Sequence, residues 1–184
     1  MTHSEELRYW YDFIDGDLNA LSHLFEHYVD GLTAYGIKIY PDEELVKDAI
    51  QEVFVQLILK RQKLKRREEI RGLVFRMVRN KIIDEIKLIN KARRTNNLIG
   101  NTMIPFVRDA EYHYINTEEN NERNTRLSIA LDQLSAHQKE SMFLKYAQCH
   151  SYDQISEIMG ISVASARTLI YRTLKQLKTL MPKT

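Results

Sequence analysis

Leu18, Leu21, Leu24, Phe25, Tyr28, Val29 and Leu32 recur at three- and four-residue spacing, the period of one helix face, and similar patterns cover most of the chain. Before that run, Ser4 followed by Glu5 and Glu6 reads as an N-cap with acids in the first turn, which predicts a short helix to about Asp15. Gly16-Asp17 breaks it, and Asp17 recaps the second helix. Pro41 with Asp42, Glu43 and Glu44 opens a third, whose Leu45, Val46, Ala49, Ile50, Val53, Phe54, Leu57 and Ile58 form a wide apolar stripe. A basic connection from Lys60 to Arg67 leads to a fourth, from about Glu68 to Ile89, with Ile70, Leu73, Val74, Met77 and Val78 inward. Residues 1–94 therefore read as one small helical bundle. Residues 95–124 are Asn-rich and polar and read as a linker, with Phe106, Tyr112 and Tyr114 as an aromatic patch that a free tether does not need.

Residues 125–184 are four helical segments in quick succession. The first, Arg126 to Leu134, sets Leu127, Ala130, Leu131 and Leu134 at core spacing. Ser135 to Gln138 and Ser151 to Gln154 each match the capping box, in which hydroxyl and amide satisfy one another's backbone donors. The helix after the first box runs through Met142, Phe143 and Tyr146 to near Cys149; the one after the second has about two turns, through Ile155, Ile158 and Met159. Gly160 ends it, and Ser162 caps a last helix from Val163 to about Leu180.

Composition agrees with an all-α chain of two small domains joined by a flexible linker. Six Gly and three Pro are too few for the turns of a sandwich or barrel. With 43% hydrophobic residues, 28% charged and a mean hydropathy of -0.43, the expectation is a soluble, folded protein. Neither a signal peptide nor a membrane span is indicated, and Cys149, the single cysteine, fits a reducing compartment, so the expected location is cytoplasmic.

The net charge of +2 conceals a strong segregation. Residues 1–59 hold three Lys/Arg against twelve Asp/Glu, and residues 60–94 fourteen against four. Residues 95–134 hold three against six, and 135–184 seven against three. Two basic stretches bounded by acidic ones suggest two surfaces for a polyanion, with acidic surface left for a protein partner.

The most informative stretch is Tyr152 to Leu177. A short helix, a Gly-Ile-Ser turn and a long amphipathic helix make a helix-turn-helix, whose second helix fits a DNA major groove. At 100° per residue, Val163, Ala166, Leu169, Ile170, Thr173, Leu174 and Leu177 fall on the core side. Ser165, Thr168, Arg172 and Lys175 fall opposite, flanked by Arg167, Tyr171 and Lys178. Small hydroxyls permit close approach to base edges and phosphates, which Arg and Lys can bind. The plainer alternative is the solvated face of an ordinary helical hairpin; the absence of acids from Val163 to Leu180 favours DNA.

The run Leu134-Ser135, Gln138, Ser151-Tyr152-Asp153-Gln154-Ile155, Gly160-Ile161-Ser162 and Arg172-Thr-Leu-Lys-Gln-Leu177 resembles conserved region 4 of bacterial RNA polymerase sigma factors. Asp48-Ala-Ile-Gln51-Glu52-Val-Phe54 resembles the region 2 helix that docks on the polymerase clamp, and Phe75-Arg-Met-Val-Arg79-Asn80-Lys-Ile-Ile-Asp84 the helix that reads the downstream promoter element. Two such regions joined by a linker are similar to the extracytoplasmic-function (ECF) class of the sigma-70 family. The resemblance implies docking on core RNA polymerase, at the clamp helices of its β′ subunit through Asp48, Gln51, Glu52 and Phe54, and at the β flap. It implies promoter DNA binding by Arg76, Arg79, Asn80 and Lys87 in the first domain, and by Ser165, Arg167, Thr168, Tyr171, Arg172 and Lys175 in the second. It implies an anti-sigma partner as well. The loop Arg61-Gln-Lys63-Leu-Lys65-Arg-Arg67 matches in position the element that captures a flipped base, although it lacks an aromatic and Phe75 is the nearest stacking candidate.

Physical reading of the same residues agrees but leaves alternatives. Asp48 and Glu52, four apart and opposite the apolar stripe, form an acidic patch suited to basic clamp residues or are simply solvated. Arg76, Asn80 and Lys87 share a face near Arg79, and Asn suits adenine; otherwise Arg76 and Arg79 pair with Glu85 or Glu69. His23 and His27 are spaced for a shared metal, but no third ligand is evident. Cys149-His150 has no orienting acid. No cofactor, metal or enzyme activity is expected. The competing function is a dimeric helix-turn-helix regulator of operator DNA; an RNA-processing enzyme would need acidic metal ligands that the chain does not offer.

Overall fold

The computed structural model describes residues 1–66, 68–95 and 127–181, with side chains absent from the description at 93–95. Two compact units divide the chain.

Among its described residues the first unit has four α-helices. Helix α1 spans His3–Asp15, with its cap two residues before the expected Ser4. Thr2 caps it because Thr2 and Glu5 complete a reciprocal box: Glu5 N donates to Thr2 Oγ1 at 3.3 Å and Thr2 N to Glu5 Oε2 at 2.8 Å. Ser4 has Leu7 three residues on, which cannot reciprocate. The backbone N–H of Thr2 also holds the Glu5 carboxyl below its ordinary pKa. Gly16, at φ 127°, closes α1 with its N–H on the Asp12 and Phe13 carbonyls. Asp17 then caps α2, Leu18–Ile39, and Asp42 caps α3, Glu43–Leu59, each accepting from a first-turn N–H. Pro41 lies one residue ahead of that cap. A single 3-10 turn, Arg61–Lys63, follows, and α4 spans Ile70–Thr95, six residues beyond the expected end at Ile89.

Trp10, Phe13, Leu24, Leu32, Tyr35, Ile50, Leu57, Val74, Val78 and Ile82 are buried as the core of this unit. At Gly36 the packing leaves no room for a side chain: a Cβ there would lie 2.5 Å from Val46 Cγ1 and 3.1 Å from Ile82 Cδ1. Tyr28, also buried, donates its hydroxyl to Glu6 Oε1, and burial pushes its pKa well up. Two residues expected inside are outside, Leu18 at 52% and Ile58 at 42% exposure. Both sit at or near a helix end on the edge of the apolar stripe, where the neighbouring helices no longer reach.

In the second unit α5 covers residues 127–132, and α6, Ala136–Met142, continues into a π turn over Phe143–Ala147. The π turn closes with Gln148 N on Phe143 O at 3.0 Å, and Cys149 follows at φ 55°. Helix α7 spans Tyr152–Met159 and α8 Val163–Leu180; Gly160 between them is left-handed at φ 67°, ψ 35°. Both expected capping boxes are present. Leu144, Ile155, Ile158, Ala166, Ile170, Thr173 and Leu177 are buried. The buried stripe of α8 is only one residue wide per turn because so small a unit covers little of its helix, and Leu174, expected inside, is 41% exposed. The expected linker lies outside the described residues, apart from the backbone of Thr95.

Candidate nucleic-acid and polymerase interfaces

In the second unit the left-handed Gly160 sends the chain from α7 into α8, and Ser162 fixes the entry. Ser165 N donates to Ser162 Oγ at 3.1 Å, and the two hydroxyls lie 2.8 Å apart. Ser165, Arg167, Thr168, Tyr171, Arg172 and Lys175 are all exposed, as expected, on a helix without an acidic residue. Such a face offers cations and hydroxyls to a polyanion with no repelling carboxylate of its own. Arg167 is joined by two residues that sequence reasoning did not select. Its Cζ lies 4.9 Å from the Tyr152 ring centroid, and Lys145 Nζ lies 4.5 Å from the same centroid while donating to the His150 carbonyl at 3.2 Å. The clue to Tyr152 was its place as the first residue after the Ser151 cap. Lys145 left none, because only the π turn brings it there.

In the first unit Arg76, Asn80 and Lys87 are exposed along one face of α4, with Arg79 half-buried beside them. Lys87 Nζ meets Asp84 Oδ1 at 2.8 Å, an exposed pair that a phosphate can replace at small cost. Glu85 is bound by Lys81, at 2.8 Å. Lys81 also holds Glu52 of α3 at 2.6 Å, and the two carboxylates raise its pKa.

The basic loop between α3 and α4 exposes Lys63 and Lys65, while Arg61 is half-buried: its Nη1 would be 3.2 Å from a Cβ on Gly16. Phe75 is 1% exposed, packed at 5.6 Å from Tyr35, and so does not serve as a stacking residue for a flipped base. Arg67 is outside the described residues.

On α3, Asp48, Gln51 and Glu52 are exposed. Phe54, expected with them at the polymerase surface, points inward instead: it is 6% exposed and meets Phe25 edge-on at 5.0 Å. Helical spacing explains this, since position 54 lies with Ile50, Val53 and Leu57 on the core side. The outward stripe continues through Val55 and Leu59, which are 51% and 79% exposed and were not among the expected contacts. A carboxylate patch grading into apolar side chains suits a partner that combines basic and apolar groups.

His23 stacks on Tyr9 at 4.7 Å and His27 tilts against Tyr28 at 5.2 Å. Among the described residues there is no group of three or more His, Cys, Asp or Glu able to hold a metal, and no helix is long and apolar enough to cross a membrane. His150 is buried with Nδ1 at 3.1 Å from Gln154 Oε1, whereas Cys149 is exposed, so the two do not form a reactive pair.

Two family models match the chain: Sigma-70 region 2 over residues 24–94, and Sigma-70, region 4 over residues 126–177. Among curated proteins it is similar to the ECF RNA polymerase sigma factor SigM of Bacillus subtilis (strain 168), 22% identical over 162 residues that span 88% of this chain and 94% of that one. Among solved structures it is similar to CnrH in its complex with the cytosolic domain of CnrY, with a TM-score of 0.64, 18% identity and 96% of each chain covered. It is also similar to the sigma factor RpoE in its complex with the anti-sigma factor NepR from Bartonella quintana, with a TM-score of 0.60, 17% identity, and 86% of this chain and 94% of that one covered. With region 2 and region 4 matched in order and a curated ECF sigma factor matched over most of both chains, the chain belongs to the sigma-70 family of RNA polymerase sigma factors, in the ECF class.

Proposed function

We propose that a first domain, residues 1–94 of the first unit, docks on core RNA polymerase through Asp48, Gln51 and Glu52 and binds the downstream promoter element through Arg76, Arg79, Asn80, Lys87 and the basic loop. The second, residues 125–184, binds the upstream element as duplex through Ser165, Arg167, Thr168, Tyr171, Arg172 and Lys175. The observation that carries this reading is the acid-free, exposed polar face of α8 behind a Gly160 turn, the arrangement that lets a second helix enter a major groove. The acidic patch of α3 meets the β′ clamp helices, and the second unit meets the β flap. RNA synthesis is the polymerase's chemistry; this chain supplies recognition and no catalysis of its own, and it acts in the cytoplasm. Two structural neighbours were solved with the partners CnrY and NepR, the latter an anti-sigma factor, which supports an anti-sigma partner here.

Gel filtration of the purified chain with core polymerase tests the docking. A complex of one chain per core is expected. Failure to co-elute, together with dimeric binding of the free chain to a palindromic duplex, would establish the operator-binding regulator instead.

A further inference from the structure

The basic loop is fastened along one helix of its own unit. Trp10 Nε1, in the core, donates to the Lys65 carbonyl at 3.4 Å. Arg66 Nη2 donates to both oxygens of Asp15, at 2.8 and 2.6 Å, and its Cζ lies 5.1 Å from the Tyr11 ring. Arg61 folds over Gly16 at the end of the same helix. Three points of the loop, spread over residues 61–66, are thus held by residues 10–16, all from α1 and its cap. Lys63, between these points, and the side chain of Lys65 are left exposed.

We propose that α1 is the positioning element for promoter opening: Asp15, by holding Arg66, fixes the loop so that Lys63 and Lys65 meet the single-stranded backbone. This rests on the reading that the loop binds separated strands. An exposed ion pair is weak by itself. Its effect here is on the conformational freedom of a short loop already held at the Lys65 carbonyl and at Arg61, where one further restraint removes much of what remains. Each cation placed in advance binds a phosphate without first losing side-chain and loop freedom.

Electrostatics and positioning predict opposite signs for one substitution. Asp15→Asn removes a negative charge beside the loop and keeps the side chain's size. If Asp15 only neutralised Arg66, the freed guanidinium would strengthen DNA binding and opening. If Asp15 positions the loop, opening falls.

The test uses the full chain assembled with core polymerase, on a duplex promoter selected from a random library by the wild-type holoenzyme and carrying 2-aminopurine to report strand opening. Asp15→Asn and Arg66→Asp should each reduce opening about three- to tenfold with core binding unchanged, and Asp15→Arg combined with Arg66→Asp should recover much of it. Opening by Asp15→Asn equal to or better than wild type overturns the proposal. If Lys63→Ala with Lys65→Ala leaves opening unaltered, the loop's assignment to single-stranded DNA is itself wrong. If that pair reduces opening while Asp15→Asn does not, only the role of α1 fails.

Discussion

Glu52 Oε2 accepts from Lys81 Nζ at 2.6 Å, which ties the acidic patch of α3 to the helix that carries Arg76 and Asn80. The carboxylate at the proposed polymerase surface is therefore partly neutralised from within its own unit, and Asp48, also exposed on α3, becomes the more separable of the two. Asp48→Lys should weaken core binding by about tenfold or more, roughly 1.4 kcal/mol, with little change in thermal stability. Glu52→Lys should weaken binding too, but should also destabilise the unit by up to about 1 kcal/mol, because it sets two ammonium groups together. Isothermal titration with core, beside thermal unfolding, separates these effects; core binding unchanged in both variants would remove α3 from the docking surface.

For the second unit, Arg172→Ala should weaken binding to the upstream element by roughly 1–3 kcal/mol if the guanidinium reads a base. The comparison is the same variant on a scrambled duplex. An equal loss there assigns Arg172 to a phosphate, and no loss on either removes it from the interface.

Gly36 lies where α2 presses against Val46 of α3 and Ile82 of α4. Gly36→Ala should destabilise the first unit by about 1–3 kcal/mol despite the better helix propensity of Ala, since the added methyl overlaps a branched core side chain. Urea unfolding measures this, and a stability equal to or above wild type would mean that Val46 can move aside.

His27 introduces a pH dependence. Partial desolvation of its largely exposed ring, assisted by the amino terminus and Arg71 against the opposing Glu6, holds its imidazole below the ordinary value of 6.5. The unfolded chain then binds more protons than the folded one just below that value, so His27 subtracts stability as the pH falls through it. Melting temperatures of the wild type and His27→Gln, followed from about pH 7.5 to 5.5, should show the wild type losing more. Parallel profiles would show that His27 titrates alike in both states.

Elements governed by neighbours in sequence were legible. The two Ser-x-x-Gln boxes, the Asp17 cap and the left-handed Gly160 each depend on residues within one turn, and the helix-turn-helix followed from them. Periodicity also selects the right face of a helix, but not how much of it the neighbours cover, which is why Leu18, Ile58 and Leu174 emerged exposed. Phe54 carries the opposite lesson: a motif assigned it to the surface although its own spacing placed it inside. The contacts that organise the candidate sites, Asp15 with Arg66 and Glu52 with Lys81, join residues far apart in sequence, and no local pattern encodes them.

Run-off transcription with core RNA polymerase from the chain's host, on the selected promoter template, tests the central claim most directly. The structure and family predict a transcript of single defined length that requires both the chain and the core, and that is lost when the upstream or downstream element is scrambled. No promoter-dependent transcript with that core, while the free chain binds a palindromic duplex as a dimer, would contradict the account.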